Sequence, residues 1–196
     1  MIGIDFSMNS AGVVIGNSSN PEELKMLFFR QRVKDYPLVD NIEIAEYGEW
    51  PCNESRYYHV ASTIFNFIEE HATDKEVWIE DYSFGSTGSV FNIAESTATL
   101  KHLLWIDGYV INKISPKSVK KFATGSGNAK KSGMYDSFME KTGYDFNDKL
   151  EGHTKHLRDG YKEVPSPASD LIDAYFILQY GLNEKSNHQH QQHPDE

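Results

Sequence analysis

Two carboxylates three residues apart, Asp170 and Asp173, lie in the segment 166–178, which is otherwise almost wholly apolar. Residues at positions i and i+3 share one face of a helix. A buried carboxylate is costly unless a cation compensates its charge. The cations that precede the pair, Arg158 and Lys162, lie across a proline-containing loop. The pair therefore predicts a divalent metal held by these and other carboxylates.

Two further acids lie at the ends of predicted strands. Asp5 belongs to a strand over 2–7, and Glu80 lies near the end of a strand over 76–82. In an antiparallel meander followed by a parallel crossover, the first and fourth strands are natural neighbours, so the two carboxylates can meet. Strand alternation directs Asp81 to the opposite face, where it is of secondary interest.

The acids also have structural explanations. Asp5 taken alone is equally suited to capping the turn that follows its strand. Asp170 lies near a helix N-terminus, where the helix dipole favours an acid, whereas Asp173 lies a turn further in. Together with Glu80 they supply hard oxygen ligands, for which magnesium or manganese is the best match.

Positive charge is concentrated in one stretch of an acidic chain. The net charge is −10, yet the segment 113–131 contains six lysines and no acid. These are Lys113, Lys117, Lys120, Lys121, Lys130 and Lys131. A run of this kind is commonly a solvated face, but the interleaved Gly125 and Gly127 favour phosphate binding. Acids elsewhere discourage indiscriminate binding to nucleic acid.

The pattern of apolar residues and turn signals predicts alternating strands and helices. We predict strands over 2–7, 12–16, 25–33, 76–82 and 109–114, a long connection over 34–53, and helices over 55–71, about 90–106, 117–123, 129–142 and 167–182. The first three strands form an antiparallel meander, and the next two are joined by a right-handed parallel crossover. The fold class is therefore α/β with a mixed five-stranded sheet flanked by helices.

At 196 residues the chain is expected to form one domain over 1–182. The tail 183–196 is rich in His, Gln and Asn, and its composition predicts disorder. The single cysteine, Cys52, fits a reducing compartment. With no apolar run of membrane-spanning length and no charged-then-apolar leader, we expect a soluble cytoplasmic protein that makes no membrane contact.

Four motifs, taken in order and spacing, resemble those of the RuvC-type Holliday junction resolvases. They are Gly-Ile-Asp-Phe-Ser at 3–7, Ile-Glu-Asp at 79–81, the lysine- and glycine-rich stretch at 119–131, and Asp-Leu-Ile-Asp-Ala at 170–174. The resemblance covers most of the chain. It implies a ribonuclease H-like fold and a structure-selective endonuclease that resolves four-way DNA junctions by two-metal-ion hydrolysis, leaving 5′-phosphate and 3′-hydroxyl ends.

The resemblance also implies roles for particular residues. Asp5, Glu80, Asp170 and Asp173 would bind two Mg²⁺ or Mn²⁺ ions per active site. Lys131 takes the place of the catalytic lysine that follows the family's Gly-x-Gly turn.

Contacts with branched DNA would come from the basic stretch and from the loop after the fourth strand. The expected DNA-binding residues are Lys117, Lys120, Lys121, Gly125, Gly127, Lys130 and Lys131, with Tyr82 and Phe84 as candidates for contacting junction bases. The chain departs from the bacterial enzymes in the turn after Asp5, and this divergence suggests a viral or bacteriophage relative in a bacterial or phage-infected host cytoplasm.

Symmetric cleavage of a junction needs two active sites, so the resemblance implies a homodimer. The candidate interface is the helix 93–106, which carries Leu100, Leu103, Leu104 and Trp105. Core packing explains these apolar residues equally well.

Other functions remain open on the sequence alone. One is a ribonuclease H-like nuclease that acts on forks, flaps or RNA–DNA hybrids. Another is a DNA-structure-binding protein without catalytic activity, although the presence of all four acids argues against it. A phosphate-binding enzyme for small molecules would need a nucleotide pocket. The actin-like ATPases and sugar kinases share the Gly-Ile-Asp opening, but they need two such modules, and this chain has length for one.

Overall fold

The computed structural model describes residues 1–7, 10–29, 36–46, 48–81, 90–150, 155–156 and 162–192. Within these residues, a six-stranded sheet forms the centre of the protein. Its strands are β1 (Ile2–Asp5), β2 (Gly12–Ile15), β3 (Lys25–Phe29), β4 (Ile42–Ala45), β5 (Glu76–Glu80) and β6 (Val110–Ile114). They lie in the order β4-β3-β2-β1-β5-β6.

Helices cover both faces of this sheet. They are α1 (Asn53–His71), α2 (Val90–Ile106), α3 (Pro116–Thr124), α4 (Lys131–Thr142), α5 (Phe146–Lys149) and α6 (Ala168–Gln192). Two short strands, β7 (Lys155–His156) and β8 (Lys162–Glu163), form a separate ribbon. One apolar core lies between the sheet and α1 with α2, and the other between the sheet and α3 to α6.

The pairing of the strands confirms the predicted mixed α/β sheet. β1 to β3 form an antiparallel meander, and β1, β5 and β6 are parallel neighbours. The sheet has one strand more than predicted, because Ile42–Ala45 pairs in parallel with β3 inside the expected connection 34–53. Four residues in polar surroundings carry too weak a periodicity to indicate a strand, and here the hydrogen bonds of β3 determine the conformation.

The residues of β1, and Phe6 directly after it, alternate between the two faces of the sheet. Ile2, Ile4 and Phe6 pack in the core under α1 and α2. Gly3 and Asp5 therefore face α6 on the other side of the sheet. This alternation places an acid, with no large side chain beside it, under the last helix.

Two glycines let α6 lie directly on the sheet. A Cβ atom at Gly12 would be 2.5 Å from the carbonyl oxygen of Asp170, and one at Gly3 would be 2.5 Å from the backbone nitrogen of Leu178. Real Cβ atoms do not approach other atoms this closely. The missing side chains therefore set the depth at which α6 packs.

The last helix is longer than predicted. It continues to Gln192, whereas a disordered tail was predicted from residue 183; residues 193–196 lie outside the described part of the chain. No glycine or proline follows Gly181 before Pro194, so each further residue adds a hydrogen bond to a helix already anchored in the core. Lys185 ties the extension to β5, since its Nζ lies 3.1 Å from Glu76 Oε2.

Within the described residues no helix, α6 included, combines the length and apolarity needed to cross a membrane.

We expect Gly12→Ala to destabilise the protein. The new methyl group must push α6 off the sheet at Asp170, and overpacking of this kind costs about 1–3 kcal/mol. For a chain of this size the melting temperature should fall by about 2–4 °C for each kcal/mol. Thermal unfolding followed by circular dichroism would measure the loss.

Gly133→Ala on α4 is the matched control. There the added Cβ would be 3.8 Å from the Cβ of Ala129, an ordinary contact. The variant should be neutral or stabilised by up to about 1 kcal/mol, because alanine favours a helix more than glycine does. Equal melting temperatures for Gly12→Ala and Gly133→Ala would show that the close approach of α6 places no constraint on position 12.

Candidate active site

The structure brings the four predicted acids together. Asp5, Glu80, Asp170 and Asp173 line one cleft of about 310 Å³ beside the sheet. Asp5 and Glu80 end the parallel neighbours β1 and β5, in which Ile4 is paired with Ile79. The two aspartates come from the first turns of α6, which crosses these strands.

Burial and mutual repulsion make these acids hard to ionise. Burial raises the pKa of Asp5 well above its usual value, and the charges of Asp173, Glu80 and Asp170 raise it further. Burial, followed by repulsion from Asp173, raises the pKa of Glu80 to about 7. Burial also raises the pKa of Asp170, and that of Asp173 to about 6. The cluster is thus built to hold positive charge.

Two lysines supply part of that charge from the other side of the cleft. Lys120 projects from α3 and Lys131 from the first turn of α4, and both line the cleft. Their charges lower the pKa values of Glu80 and Asp173, against the larger effect of burial. The Lys131 side chain is 61% exposed, so it can reach a ligand at the mouth of the cleft.

The donor set of the cleft suits a divalent cation. Carboxylate oxygens are the ligands that Mg²⁺ and Mn²⁺ prefer, and four carboxylates in one cleft repel each other until a cation is bound. Among the residues that the structure describes, no three acidic, histidine or cysteine side chains are placed so that they could hold a metal ion as they stand. The carboxylates that the cleft offers to such a cation are those of Asp5, Glu80, Asp170 and Asp173.

The predicted phosphate-binding segment forms the connection between α3 and α4. α3 ends at Gly125, whose φ of +80° is the left-handed conformation that glycine adopts readily. α4 begins at Lys131 instead of about residue 129, and its N-cap residue, Lys130, makes no capping hydrogen bond through its side chain. The N-terminus of α4 therefore offers N–H donors at the cleft edge, as suits a phosphate.

The other predicted DNA-binding residues have different positions. The side chains of Lys117, Lys121 and Lys130 are exposed on α3 and on the connection to α4. Tyr82 and Phe84 lie outside the described residues. Asp81 lies on the opposite face of the sheet, as strand alternation predicts, where its charge acts on Lys101 of α2.

Serine side chains around Asp170 were missed by the sequence analysis. Ser166 and Ser169 both donate hydrogen bonds to the Asp170 carboxylate, and Ser7 and Ser10 line the same cleft. The signal was available in the segment Ser166-Pro-Ala-Ser-Asp170, where two hydroxyls precede the acid by one and four residues.

The backbone matches solved structures over nearly its whole length. Thermus thermophilus RuvC superposes with a TM-score of 0.58 and 16% identity, covering 95% of this chain and 97% of that one. The chain has the RuvC fold. RuvC of the same organism in complex with a Holliday junction substrate gives a TM-score of 0.59 and 15% identity, with coverage of 95% and 96%.

A yeast protein shares the fold as well. The mitochondrial Holliday junction resolvase Ydc2 matches with a TM-score of 0.52 and 16% identity, covering 97% of this chain and 82% of its own. No protein-family model and no curated protein sequence matches the chain. The RuvC fold is ribonuclease H-like, so the fold that the motifs predict is confirmed.

The acid cluster predicts how the stability of the metal-free protein depends on pH. Because the folded-state pKa values of the four acids are raised, the folded state binds their protons more tightly than the unfolded state does. Their stabilising effect is therefore full at low pH and is lost as the pH rises through about 6, for Asp173, and about 7, for Glu80. Each unit of elevation corresponds to about 1.4 kcal/mol.

Asp5→Asn tests this pH dependence of stability. It removes a carboxylate whose ionisation is opposed both by burial and by the charges of the neighbouring acids. In EDTA at about pH 8 the variant should melt above the wild type by about 2–4 °C for each kcal/mol of relieved repulsion. The gap should narrow toward pH 5. Glu140→Gln, which removes one exposed acid of α4, should leave the pH profile unchanged. A destabilised Asp5→Asn variant in EDTA would mean that the acids do not repel each other.

Proposed function

We propose that the protein is a metal-dependent endonuclease that cleaves branched DNA, with the four-way (Holliday) junction as its substrate. The observation that carries this proposal is the cleft, in which carboxylates from β1, β5 and α6 face two lysines from α3 and α4. The RuvC fold supports the choice of substrate, since one solved structure of that fold is of a complex with a Holliday junction.

In this proposal the acids hold the catalytic metal. Asp5, Glu80 and Asp173 supply ligands for two Mg²⁺ or Mn²⁺ ions, and Asp170 either binds an ion or orients its surroundings. Bound divalent ions of this kind activate a water molecule and stabilise the leaving oxygen of a phosphodiester. Hydrolysis then leaves a 5′ phosphate and a 3′ hydroxyl. Since the acids are partly protonated near neutral pH, metal binding must displace protons from the cleft.

The lysines hold the DNA. Lys120 and Lys131 contact phosphates next to the scissile bond, and the N–H groups at the start of α4 add donors there. The exposed Lys117, Lys121 and Lys130 position a flanking arm without reading its bases. Because the segment 113–131 carries six lysines and no acid in a chain of net charge −10, DNA binding is directed to this part of the protein.

The proposal includes a homodimer, since paired cuts across a junction need two sites related by a two-fold axis. Leu100 and Leu104 of α2 are fully buried in the core under this helix, so they are not free for an interface. Trp105 and Ile106, at the end of the same helix, are 69% and 64% exposed. We place the dimer contact on this exposed end of α2.

Cleavage assays with purified protein test the nuclease. Immobile four-way junctions should receive paired symmetric nicks near the branch point in the presence of Mg²⁺. Asp5→Asn should lower the rate by about a thousandfold or more, since removing a ligand removes the stabilisation of developing charge. Products should be substrates for DNA ligase without further treatment, because their ends are a 5′ phosphate and a 3′ hydroxyl.

Linear duplex, forked DNA and RNA–DNA hybrids serve as comparison substrates, with Glu140→Gln as the charge-matched control variant. Cleavage of forks or hybrids alone would support a metal-dependent nuclease but reject the four-way junction as its substrate. Junction binding without cleavage in Mg²⁺ or Mn²⁺ would make the protein a DNA-structure-binding protein and contradict the proposal.

Light scattering coupled to gel filtration tests the dimer. Trp105→Ala should weaken self-association by about thirtyfold. Truncating a tryptophan that is buried at the centre of an interface commonly costs about 2 kcal/mol of binding free energy. Junctions would then be nicked on one strand at a time. Tyr58→Ala, which removes an exposed aromatic residue from α1, is the control. A dimer that is unaffected by Trp105→Ala would show that the interface lies elsewhere on the protein. A monomeric wild type would contradict the proposed dimer.

A further inference from the structure

A second groove, of about 240 Å³, lies between α1 and β4, at one edge of the sheet. β3 contributes Leu27 to it, β4 contributes Glu43 and Ala45, and α1 contributes Phe67 and Glu70. Leu27, Ala45 and Phe67 belong to the core under α1 and α2, so the groove opens on the face of the sheet opposite the acid cleft. Two strands, β3 and β2, separate β4 from β1. The proposed nuclease activity therefore leaves this groove unused.

The groove combines an apolar interior with an acidic rim. Its buried residues are apolar, whereas Glu70 is exposed and the Glu43 side chain is 52% exposed. His71 Nε2 lies 2.6 Å from Glu43 Oε1, which holds that carboxylate at the rim. Lysine and arginine have an apolar stem and a cationic end, and so they match both parts of such a groove. The acidic rim repels phosphate, which makes DNA a poor occupant.

β4 also presents an open edge. In the described part of the chain no strand of the sheet lies beyond it. The Met26 N–H donates to the Asn41 carbonyl over 2.9 Å, and Met26 is paired with Ile42 in the parallel ladder. Backbone groups of successive strand residues point to opposite sides, so Glu43 bonds toward β3 and the N–H and C=O of Ile44 point outward. An outward donor and acceptor of this kind can pair with a further strand.

The edge and the groove together define the side chains that an added strand should carry. Successive side chains of a strand alternate between the two faces of the sheet. On the α1 face they would enter the acid-rimmed groove, and on the other face they would lie beside Ile44, which packs against the core under α6. Cationic residues are therefore expected on the first face and apolar residues on the second.

We propose that β4 and this groove form a docking site for a partner protein, which adds to the sheet an extended segment of alternating basic and apolar residues. Ile44 supplies backbone hydrogen bonds, as in other cases of strand addition. Glu43 and Glu70 bind the basic side chains, a charge complementarity that follows from the acidic rim. The site goes beyond the proposed function, because partner and DNA occupy opposite faces of the sheet and bind together.

A synthetic peptide tests the site without a known partner. The probe is a fluorescein-labelled peptide of about eight residues in which lysine and valine alternate. Fluorescence anisotropy in about 0.15 M salt should show saturable binding to the full chain. The same peptide with methylated backbone nitrogens keeps its charge but loses its N–H donors, so it should bind at least about tenfold more weakly. Equal binding of the two peptides, or no saturable binding of the first, would overturn the proposal.

Variants of the protein test the two parts of the site separately. Ile44→Pro removes the outward N–H and no bond to β3, and it should weaken peptide binding by about tenfold. Glu70→Gln changes only an exposed side chain of α1 and should weaken binding by about threefold, so it tests the site even if Ile44→Pro does not fold. Glu140→Gln removes an equal charge from α4 and should have no effect. Equal losses in the two glutamine variants would attribute binding to net charge and reject the groove.

Amide hydrogen exchange locates the bound peptide. Residues 42–46 should exchange at least about tenfold more slowly in its presence, whereas residues 131–142 of α4, beside the acid cleft, should be unchanged. Protection of α4 without β4 would place the peptide in the acid cleft and overturn the proposal. Asp5→Asn should bind the peptide as the wild type does. A protein that cleaves no DNA but shows this binding would refute the proposed function and leave the docking site established.

Discussion

The cleft depends on how closely α6 packs on the sheet. Gly3 and Gly12 present bare backbone to this helix, and the carbonyl oxygen of Asp170 lies only 2.5 Å from where a Cβ atom of Gly12 would be. Because the helix backbone touches the strand backbone, the carboxylates of the first turns of α6 reach the end of β1, where Asp5 lies. A helix held away by ordinary side chains would leave these acids separated by the thickness of an apolar layer. The same packing buries the acids, and burial is the largest cause of their raised pKa values.

An acid cluster of this kind is unfavourable for folding, and the rest of the structure offsets it. The two apolar cores on the faces of the sheet hold the strands and α6 in place against the repulsion. Lys120 and Lys131 supply partial compensation but leave the centre of the cleft free. Stability and function therefore oppose each other here, as is common at catalytic sites. The charge pattern of the chain is similarly uneven, since the segment 113–131 carries six lysines and no acid, while the rest of the chain has a net excess of acids.

Much of this could be predicted from local pattern. Regular apolar spacing predicted the existence and type of α1 to α4 and of five strands, and the acids at strand ends predicted the composition of the cleft. The failures share a physical cause. β4 exists because β3 offers it hydrogen bonds, and residues 183–192 are helical because the buried part of α6 nucleates them. In both cases the conformation is determined by a neighbouring element of structure, and the local composition does not indicate that neighbour.

Residue types and their spacing by themselves determined that Asp5, Glu80, Asp170 and Asp173 are oxygen donors at the ends of regular elements, and that one segment, 113–131, concentrates six lysines without an acid. Alternation along strands and the period of a helix are local properties, so they can be read from the chain. Only the tertiary structure decided that Asp170 faces serines and Lys131 while Asp5, Glu80 and Asp173 face one another across the cleft. That difference arises from contacts among β1, the turn after it, α4 and α6, which are distant in sequence and meet only when the helix packs on the sheet.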